Sequence, residues 1–307
     1  MFISFIIPNF NGKELLKKNL PKVLDAAKFY GVKYEIIVID DNSTDDSVNF
    51  LKNNYPEIKI IIHKTNQRFA ASCNNGVRKA SGEVIVLLNT DVVPRKNFLS
   101  HLLKHFQDKN IFAVGCKEES ILKGNKLVYS GRAQGKFAKG FLVHWRAPDQ
   151  EKSNTLWVAC GSGAFRKSIW EKLGGLDSLY YPAYWEDIDL SFRAIKSGFK
   201  ILFEPQSAVF HQHETTNKLA FGRRGMKIAA YKNQILFVWK NITDTNLLAS
   251  HLFWLPYHLV FTTISTRGLF LIGFIKALKQ LPQAINSRNK VKRVFNFSDK
   301  EIFKNYA

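Results

Sequence analysis

Carboxylates and hydrogen-bonding side chains gather at the ends of apolar runs in this chain, and the most informative case is Val84-Ile85-Val86-Leu87-Leu88-Asn89-Thr90-Asp91. Five apolar residues, three of them β-branched, read as a buried strand of a parallel sheet. Ligands of open α/β sheets bind beyond the carboxyl ends of strands. A carboxylate there can hold a hard divalent cation, and the cation a diphosphate; an acid that merely forms a turn or cap is the plain alternative. Pro8-Asn9-Phe10-Asn11-Gly12 permits a turn that exposes backbone N–H groups to a ligand, or a simple strand-to-helix turn. In Asp40-Asp41-Asn42-Ser43-Thr44-Asp45-Asp46 the trailing residues cap the next helix. Asp40 and Asp41 are not needed for that, and can accept hydrogen bonds from a nucleobase and ribose. Tyr184-Trp185-Glu186-Asp187-Ile188-Asp189-Leu190, followed by Arg193, groups three carboxylates within four residues. A helix N-terminus favours such acids. The aromatic setting of Tyr180, Tyr181, Tyr184 and Trp185 predicts a partly desolvated pocket that raises a carboxyl toward general-base range. In His211-Gln212-His213, two His at i, i+2 on a strand share a face. They ligate a metal only with an acid close by, which Asp91 can supply; His213 otherwise contacts phosphate or lies exposed.

The elements that position these residues alternate. Phe2–Pro8, Glu35–Ile39, Lys59–His63 and Glu83–Leu88 read as strands. Between and after them, Lys13–Tyr30, Ser47–Asn53, Ala70–Ala80 and Asn97–Gln107 carry helical spacing or capping. This β-α-β-α order predicts parallel strands with helices on both faces. Beyond residue 111 the pattern loosens. Phe112–Cys116, Lys200–Phe203 and the extended Pro205–Phe210 read as strand, Ser168–Leu173 and Ile188–Ser197 as helix, and Lys123–Pro148 as a loop or hairpin. Residues 216–307 read as helical throughout.

Composition narrows the partners. The 307 residues suffice for one large domain or two small ones, and 46% hydrophobic content is ordinary for a globular protein. The net charge of +20 is concentrated in residues 216–307, which hold 15 Lys and Arg against Asp244, Asp299 and Glu301. A basic, aromatic-rich tail predicts a polyanionic surface, either anionic lipid or nucleic acid. Leu247–Ser265 has no formally charged side chain but contains His251, His258 and Pro256; a second apolar run, Leu269–Ile275, precedes Lys276 and Lys279. With Trp254 and Tyr257, these fit a helix lying in a membrane interface better than a span. Packing on the domain is the alternative. Charge interleaved with apolar runs, and the lack of a nucleic-acid-binding motif, argue against nucleic acid. The absence of GxGxxG after the first strand argues against a dinucleotide dehydrogenase. Cys73, Cys116 and Cys160 show no metal or disulfide spacing and fit a reducing cytosolic compartment. Phe2 to Ile7 is too short, and lacks the basic flank, for a signal peptide.

Taken in order, these motifs resemble the family 2 glycosyltransferases of the GT-A fold. The resemblance rests on Phe5-Ile6-Ile7-Pro8-Asn9-Phe10-Asn11, Ile37-Val38-Ile39-Asp40-Asp41-Asn42-Ser43-Thr44-Asp45, Asn66 to Gly76 with Asn74-Asn75-Gly76, and Ser81-Gly82-Glu83. It continues through Asn89-Thr90-Asp91, Gly174-Gly175-Leu176-Asp177, Trp185 to Leu190 with Arg193 and Gly198, and Val209-Phe210-His211, covering about residues 2–215. The Asn-x-Asp triplet and the aromatic-Glu-Asp-x-Asp-Leu motif are similar to rhamnosyltransferase-like enzymes of bacterial surface polysaccharide assembly. Tyr231-Lys232-Asn233-Gln234 through Lys240-Asn241 resemble that subgroup's membrane-facing tail.

The resemblance implies a GT-A catalytic domain at 1–215, an α/β fold with a mixed sheet, and a membrane-associated helical region at 216–307. It implies inverting sugar transfer from a nucleoside-diphosphate sugar to a glycan or lipid-linked acceptor at the cytoplasmic face of the membrane. Asp187 is then the general base and Glu186 orients the acceptor or the base. Asp91 and His211 hold Mg2+ or Mn2+. Pro8, Asn9, Phe10, Asn11, Asp40, Asp41, Asn66, Arg68, Asn74, Asn89 and Thr90 line the nucleotide sugar, and Trp185, Gly161 and Ser162 the acceptor. A catalytically silent nucleotide-sugar-binding or scaffold module on the same fold is the competing expectation. Three departures stand out. Asn89 replaces the first acid of the common Asp-x-Asp, Arg68 stands where many relatives have Gly, and Phe10 stands where Tyr is common. Arg68 either pairs with the diphosphate or is a surface substitution.

Overall fold

The structure, a computed structural model, describes residues 1–122, 125–212 and 216–306. The chain begins β1 (Ile3–Asn9), α1 (Lys13–Tyr30), β2 (Tyr34–Asp40), α2 (Ser47–Asn54), β3 (Lys59–Ile62), α3 (Arg68–Lys79) and β4 (Val84–Leu88). It continues through β5 (Val92–Pro94), α4 (Phe98–Leu103), β6 (Ile111–Leu122), β7 (Lys126–Ser130), β8 (Ala133–Ala138), β9 (Phe141–Arg146) and β10 (Ser162–Arg166). Then come α5 (Lys167–Leu173), α6 (Glu186–Lys196) and β11 (Lys200–His211).

Nine strands form one mixed sheet in the order β3-β2-β1-β4-β10-β6-β11-β5, with β7 added to β6. The first four are parallel, in register Ile6↔Ile37, Phe5↔Val86 and Val38↔Ile60. β10 runs antiparallel to β4, and β5 antiparallel to β11 with His211 opposite Val92. That register brings His211 beside Asp91. Alternating side chains fill two cores, as the period of a strand requires. Phe5, Ile7, Val86 and Leu88 pack on α1 and α4 residues on one face, while Ile6, Ile39, Ile85 and Leu87 meet Cys73, Val77 and Trp170 on the other.

Several boundaries differ from the sequence expectation for identifiable reasons. α3 starts at Arg68 rather than Ala70, because the Asp41 carboxylate accepts from the N–H groups of Gln67 and Arg68 at 2.8 and 2.7 Å. α6 starts at Glu186 rather than Ile188, so the acids form its first turn, where the helix dipole favours them. Lys200–Phe203 and Pro205–Phe210 join into one strand with a register irregularity between Glu204 and Ala208, where Pro205 cannot donate to the ladder. β6 runs well past Cys116 because β7 pairs with its extension. Within 123–148 the hairpin β8–β9 turns at Lys139-Gly140, both at positive φ.

The remainder is helical: α7 (Thr216–Asn241, kinked at Gly222), α8 (Thr245–Tyr257), α9 (Thr263–Ser265), α10 (Leu269–Lys279), α11 (Leu281–Val291) and α12 (Asp299–Tyr306). A π-helical turn, His258–Thr262, joins α8 to α9 just after Pro256. A third core, with Leu142, Leu156, Trp185, Phe192, Phe237, Phe270 and Phe303, unites the β8–β9 hairpin, α6, α7 and the later helices. Each fully buried Phe there contributes about 1.5–3 kcal/mol, so this core binds the two halves of the chain together.

Candidate active site

The carboxyl ends of β1 and β2 are laced to each other. Asn9 Nδ2 donates to Asp40 Oδ1 at 2.9 Å and Ser43 Oγ at 3.2 Å, and Ser43 N–H donates to Asp40 Oδ2 at 3.0 Å. Asn11, at φ +51, accepts through Oδ1 from the N–H of Thr44 and of Asp45. Asp41 Oδ1 lies 2.7 Å from His63 Nδ1. Both carboxylates therefore have internal partners and are buried: Asp40 fastens its own loop, and Asp41 anchors α3. Pro8 and Phe10 are half-buried at the rim. Asn66 Oδ1 accepts from Arg68 N–H, which places Arg68 at φ +72 with its guanidinium 5.2 Å from the Phe221 ring. Asn74, expected at the donor, instead clamps Leu176, donating to its carbonyl at 2.8 Å and accepting from its N–H at 3.0 Å. A carboxamide satisfied at both ends by backbone is committed to the fold.

At the end of β4, the Asn89 side chain lies on Gly161, where an added Cβ would come within 2.6 Å of it. Asn89 N–H also donates to the Gly161 carbonyl at 2.9 Å, and the Thr90 carbonyl accepts from Asn19 at 2.7 Å. Asp91 Oδ2 faces His211 Nε2 at 3.3 Å, and His211 Nδ1 faces Glu118 Oε2 at 3.4 Å. Ser162 Oγ donates to Glu118 Oε1 at 2.6 Å. Burial opposes charge on His211, but Asp91 and Glu118 prevail and raise its pKa to about 10. A cation displaces such a proton, since imidazole ligates when neutral. An oxygen and an imidazole nitrogen suit Mn2+, and suit Mg2+ less well. Among the described residues no group of three or more His, Cys, Asp or Glu side chains is arranged to hold a metal ion, so the pair fits a cation only with oxygens from substrate and water completing its shell. His213 lies outside the described residues.

The third part is the first turn of α6. Burial raises the Asp187 carboxyl to about 6, with the Glu118 charge adding to the rise. Burial, then Asp187, raises Glu186 to about 8, and its Oε2 is buried without a hydrogen-bond partner. A small open cleft between α3 and this loop is lined by Arg68, Asp177, Tyr181 and Glu186. Asp189 goes the other way: despite burial, Arg193 and Lys240 hold its carboxyl far below the usual range. Trp185, expected at the acceptor, is buried against His144 and Phe237. Its ring is core, and Tyr184, 53% exposed, is the neighbouring aromatic open to solvent. Glu118 is the acid that sequence reasoning missed. It faces His211, adds its charge to the rise at Asp187, and lies inside a long strand, with no turn or cap to mark it.

A family model described as Glycosyl transferase family 2 matches residues 4–174, more than half of the chain. The chain belongs to that family. Among curated relatives, it is 29% identical over 185 residues to the pre-mycofactocin glycosyltransferase of Mycobacterium tuberculosis (strain ATCC 25618 / H37Rv), covering 59% of this chain and 38% of that one. It is 27% identical over 194 residues to the O-antigen chain rhamnosyltransferase WbaN of Salmonella anatum, covering 62% and 60%. The chain therefore matches well under two thirds of these relatives' own length, and its rhamnosyltransferase likeness is at low identity. The fold is the GT-A fold. S. aureus TarS 1–349 in complex with UDP-GlcNAc superposes with a TM-score of 0.59 at 14% identity, over 96% of this chain and 82% of that one. GalNAc-T7 with UDP, GalNAc and Mn2+ gives 0.61 at 19% identity, over 78% and 48%.

Proposed function

We propose that this family 2 member is an inverting glycosyltransferase. It moves a sugar from a nucleoside-diphosphate sugar to a hydroxyl of a glycan or lipid-linked acceptor in bacterial surface polysaccharide synthesis. The reading rests on two features: the Asp91–His211–Glu118 cluster, with His211 Nε2 3.3 Å from Asp91 and Nδ1 3.4 Å from Glu118, and the first turn of α6, where burial raises the Asp187 carboxyl to about 6. A base with such a pKa is ionised at neutral pH yet basic enough to take a proton. Asp187 removes the acceptor hydroxyl proton as that oxygen attacks the anomeric carbon. The bond from that carbon to the diphosphate oxygen breaks on the opposite face, with inversion. One base suffices because no glycosyl-enzyme forms. Glu186, largely neutral, orients the acceptor or the base. Asp40, Asp41, Pro8, Asn9, Phe10, Asn11, Asn66, Arg68, Asn89 and Thr90 frame the donor, and Gly161 and Ser162 border the acceptor. Asp91 and His211 would hold Mg2+ or Mn2+, which when bound neutralises charge on the diphosphate. The UDP-GlcNAc named with TarS and the UDP and Mn2+ named with GalNAc-T7 support a donor and metal of this kind.

The acceptor side faces a membrane in this reading. Phe253 (77% exposed), Ile264 (71%), Leu252 and Phe261 form an apolar ridge on Thr245–Ser265, a 21-residue stretch long and apolar enough to cross a bilayer yet only 6% buried. Lys139, Arg267, Lys276 and Lys279 neighbour the ridge in fold or sequence, which suits an interfacial helix on the anionic cytoplasmic leaflet. Asp187→Asn is expected to abolish transfer while leaving nucleotide-sugar binding, read by thermal shift with Mn2+, unchanged. Parallel loss of binding and turnover would remove Asp187 from the base role.

A further inference from the structure

We infer that Asn233 and Lys240, on the C-terminal half of α7, are positioning residues that hold the base-bearing turn of α6 in place; this rests on the assignment of Asp187 as base. The segment leading into that turn is strained. Trp185, a bulky residue, sits at φ +96. Such a conformation is costly for a non-glycine residue and persists only where the surroundings over-determine it. α7 supplies those surroundings. Asn233 Nδ2 donates to the carbonyls of Tyr180, Ala183 and Tyr184 at 2.7, 3.2 and 2.8 Å, and Lys232 Nζ donates to that of Tyr181 at 2.6 Å. Asn233 Oδ1 is buried with no partner, so only the donor end of this carboxamide is used. Leu would fill similar space without the penalty of an orphaned buried acceptor. Packing alone therefore does not account for Asn at this position.

Lys240 grips the same segment at both ends. Its Nζ lies 2.8 Å from Asp177 Oδ2 and 2.8 Å from Asp189 Oδ1. Asp177 opens the loop, and Asp189 lies two residues beyond Asp187 in α6. One buried ammonium thus fixes the start and the finish of the stretch that carries Glu186 and Asp187, while Asn233 fixes its middle. Tyr231-Lys232-Asn233-Gln234 and Lys240-Asn241, read from sequence as part of a membrane-facing tail, turn four polar side chains inward: Lys232, Asn233, Lys240 and Asn241 are all buried.

The test compares Asn233→Leu and Lys240→Gln with the parent chain by hydrogen exchange and by acceptor-free hydrolysis of UDP-GlcNAc, GDP-mannose and dTDP-rhamnose with Mn2+. Exchange of the amides of residues 178–188 should quicken about tenfold while β1 to β4 stay protected. Where a donor is hydrolysed, kcat should fall about 100-fold, the cost of a misplacement near 1 Å, with KM within about twofold. Adding Asn233→Leu to Asp187→Asn should lower the residual rate no further. Unchanged exchange at 178–188 overturns the inference, as does an additive loss in the Asp187→Asn background. Should Lys240→Gln not fold, Asn233→Leu leaves the buried ion pairs intact and decides alone. Asp187→Asn turning over at the parental rate overturns the base assignment and this inference with it, whereas unchanged exchange overturns the inference only.

Discussion

At the scale of single residues, the site is a set of acids whose environments drive them apart. Asp189 is ionised and paired, Asp187 is raised to about 6, and Glu186 is raised to about 8. Turnover should therefore fall as pH drops below about 6, as the base takes up a proton. Stability carries the matching signature. A carboxyl raised on folding contributes stability in full below its unfolded pKa, near 4.5 for Glu186, and loses it as pH rises through the folded value. Glu186→Gln should thus match the parent below about pH 4 and exceed it by about 5 kcal/mol at pH 9 in urea denaturation. A difference that does not vary with pH would mean that folding leaves the Glu186 carboxyl at its ordinary value. Arg68 gives a second case. At φ +72, Arg68→Gly should gain about 1 kcal/mol by relieving the backbone, and if Arg68 pairs with the diphosphate as proposed, calorimetry should show weaker UDP binding. Asp91, His211 and Asp187 are legible in the sequence because strand ends and an aromatic-acid cluster mark them. Glu118 is not, since only the lateral pairing of β6 with β10 and β11 brings it to His211. Asn74 reads as a ligand because its type suits one, but polar side chains also satisfy backbone groups, and both ends of its carboxamide are taken by Leu176.

At the scale of elements, the strands and helices of residues 1–100 follow from hydrophobic period and turn residues, because local pattern decides a β-α unit. The α7 interior does not follow so easily. Periodicity places Lys and Asn toward solvent, whereas long-range carboxylates and carbonyls on the 177–189 segment draw them inside. The same logic separates α7 from the ridge after it. Phe253 and Ile264 have few neighbours to satisfy, so their substitution tests contact without testing folding. Phe253→Glu with Ile264→Glu should shift the melting temperature by less than about 2 °C, since each exposed position changes stability within about 0.5 kcal/mol. Co-sedimentation with vesicles containing phosphatidylserine should fall more than about tenfold, each side chain forfeiting about 1.5–3 kcal/mol of burial. Undiminished co-sedimentation would transfer the membrane contact to the basic residues alone.

At the scale of the whole molecule, the question is whether residues 1–215 stand as a domain. The change from mixed sheet to helices lies at that point, and the family match ends earlier, at 174. The energetics cross it. Asp189 and Arg193 are buried in the first part, and their third charged partner, Lys240, is in the second. Lys196 of α6 pairs with Asp299 of α12, both fully buried, and Leu142, Leu156 and Phe192 pack on Phe237, Phe270 and Phe303. Removing one partner of a buried ion pair costs about 3–5 kcal/mol, and cutting at 215 strips Lys196 of Asp299 and both Asp177 and Asp189 of Lys240 while uncovering an aromatic core. That exceeds much of the 5–15 kcal/mol by which ordinary domains are stable. A fragment ending at residue 215 should therefore be insoluble or lack a cooperative thermal transition. The 307-residue chain carrying Phe253→Glu and Ile264→Glu should melt as one unit. Two separate transitions in the full chain, by calorimetry, would instead show the halves folding independently and would place the function of α7 outside the catalytic fold.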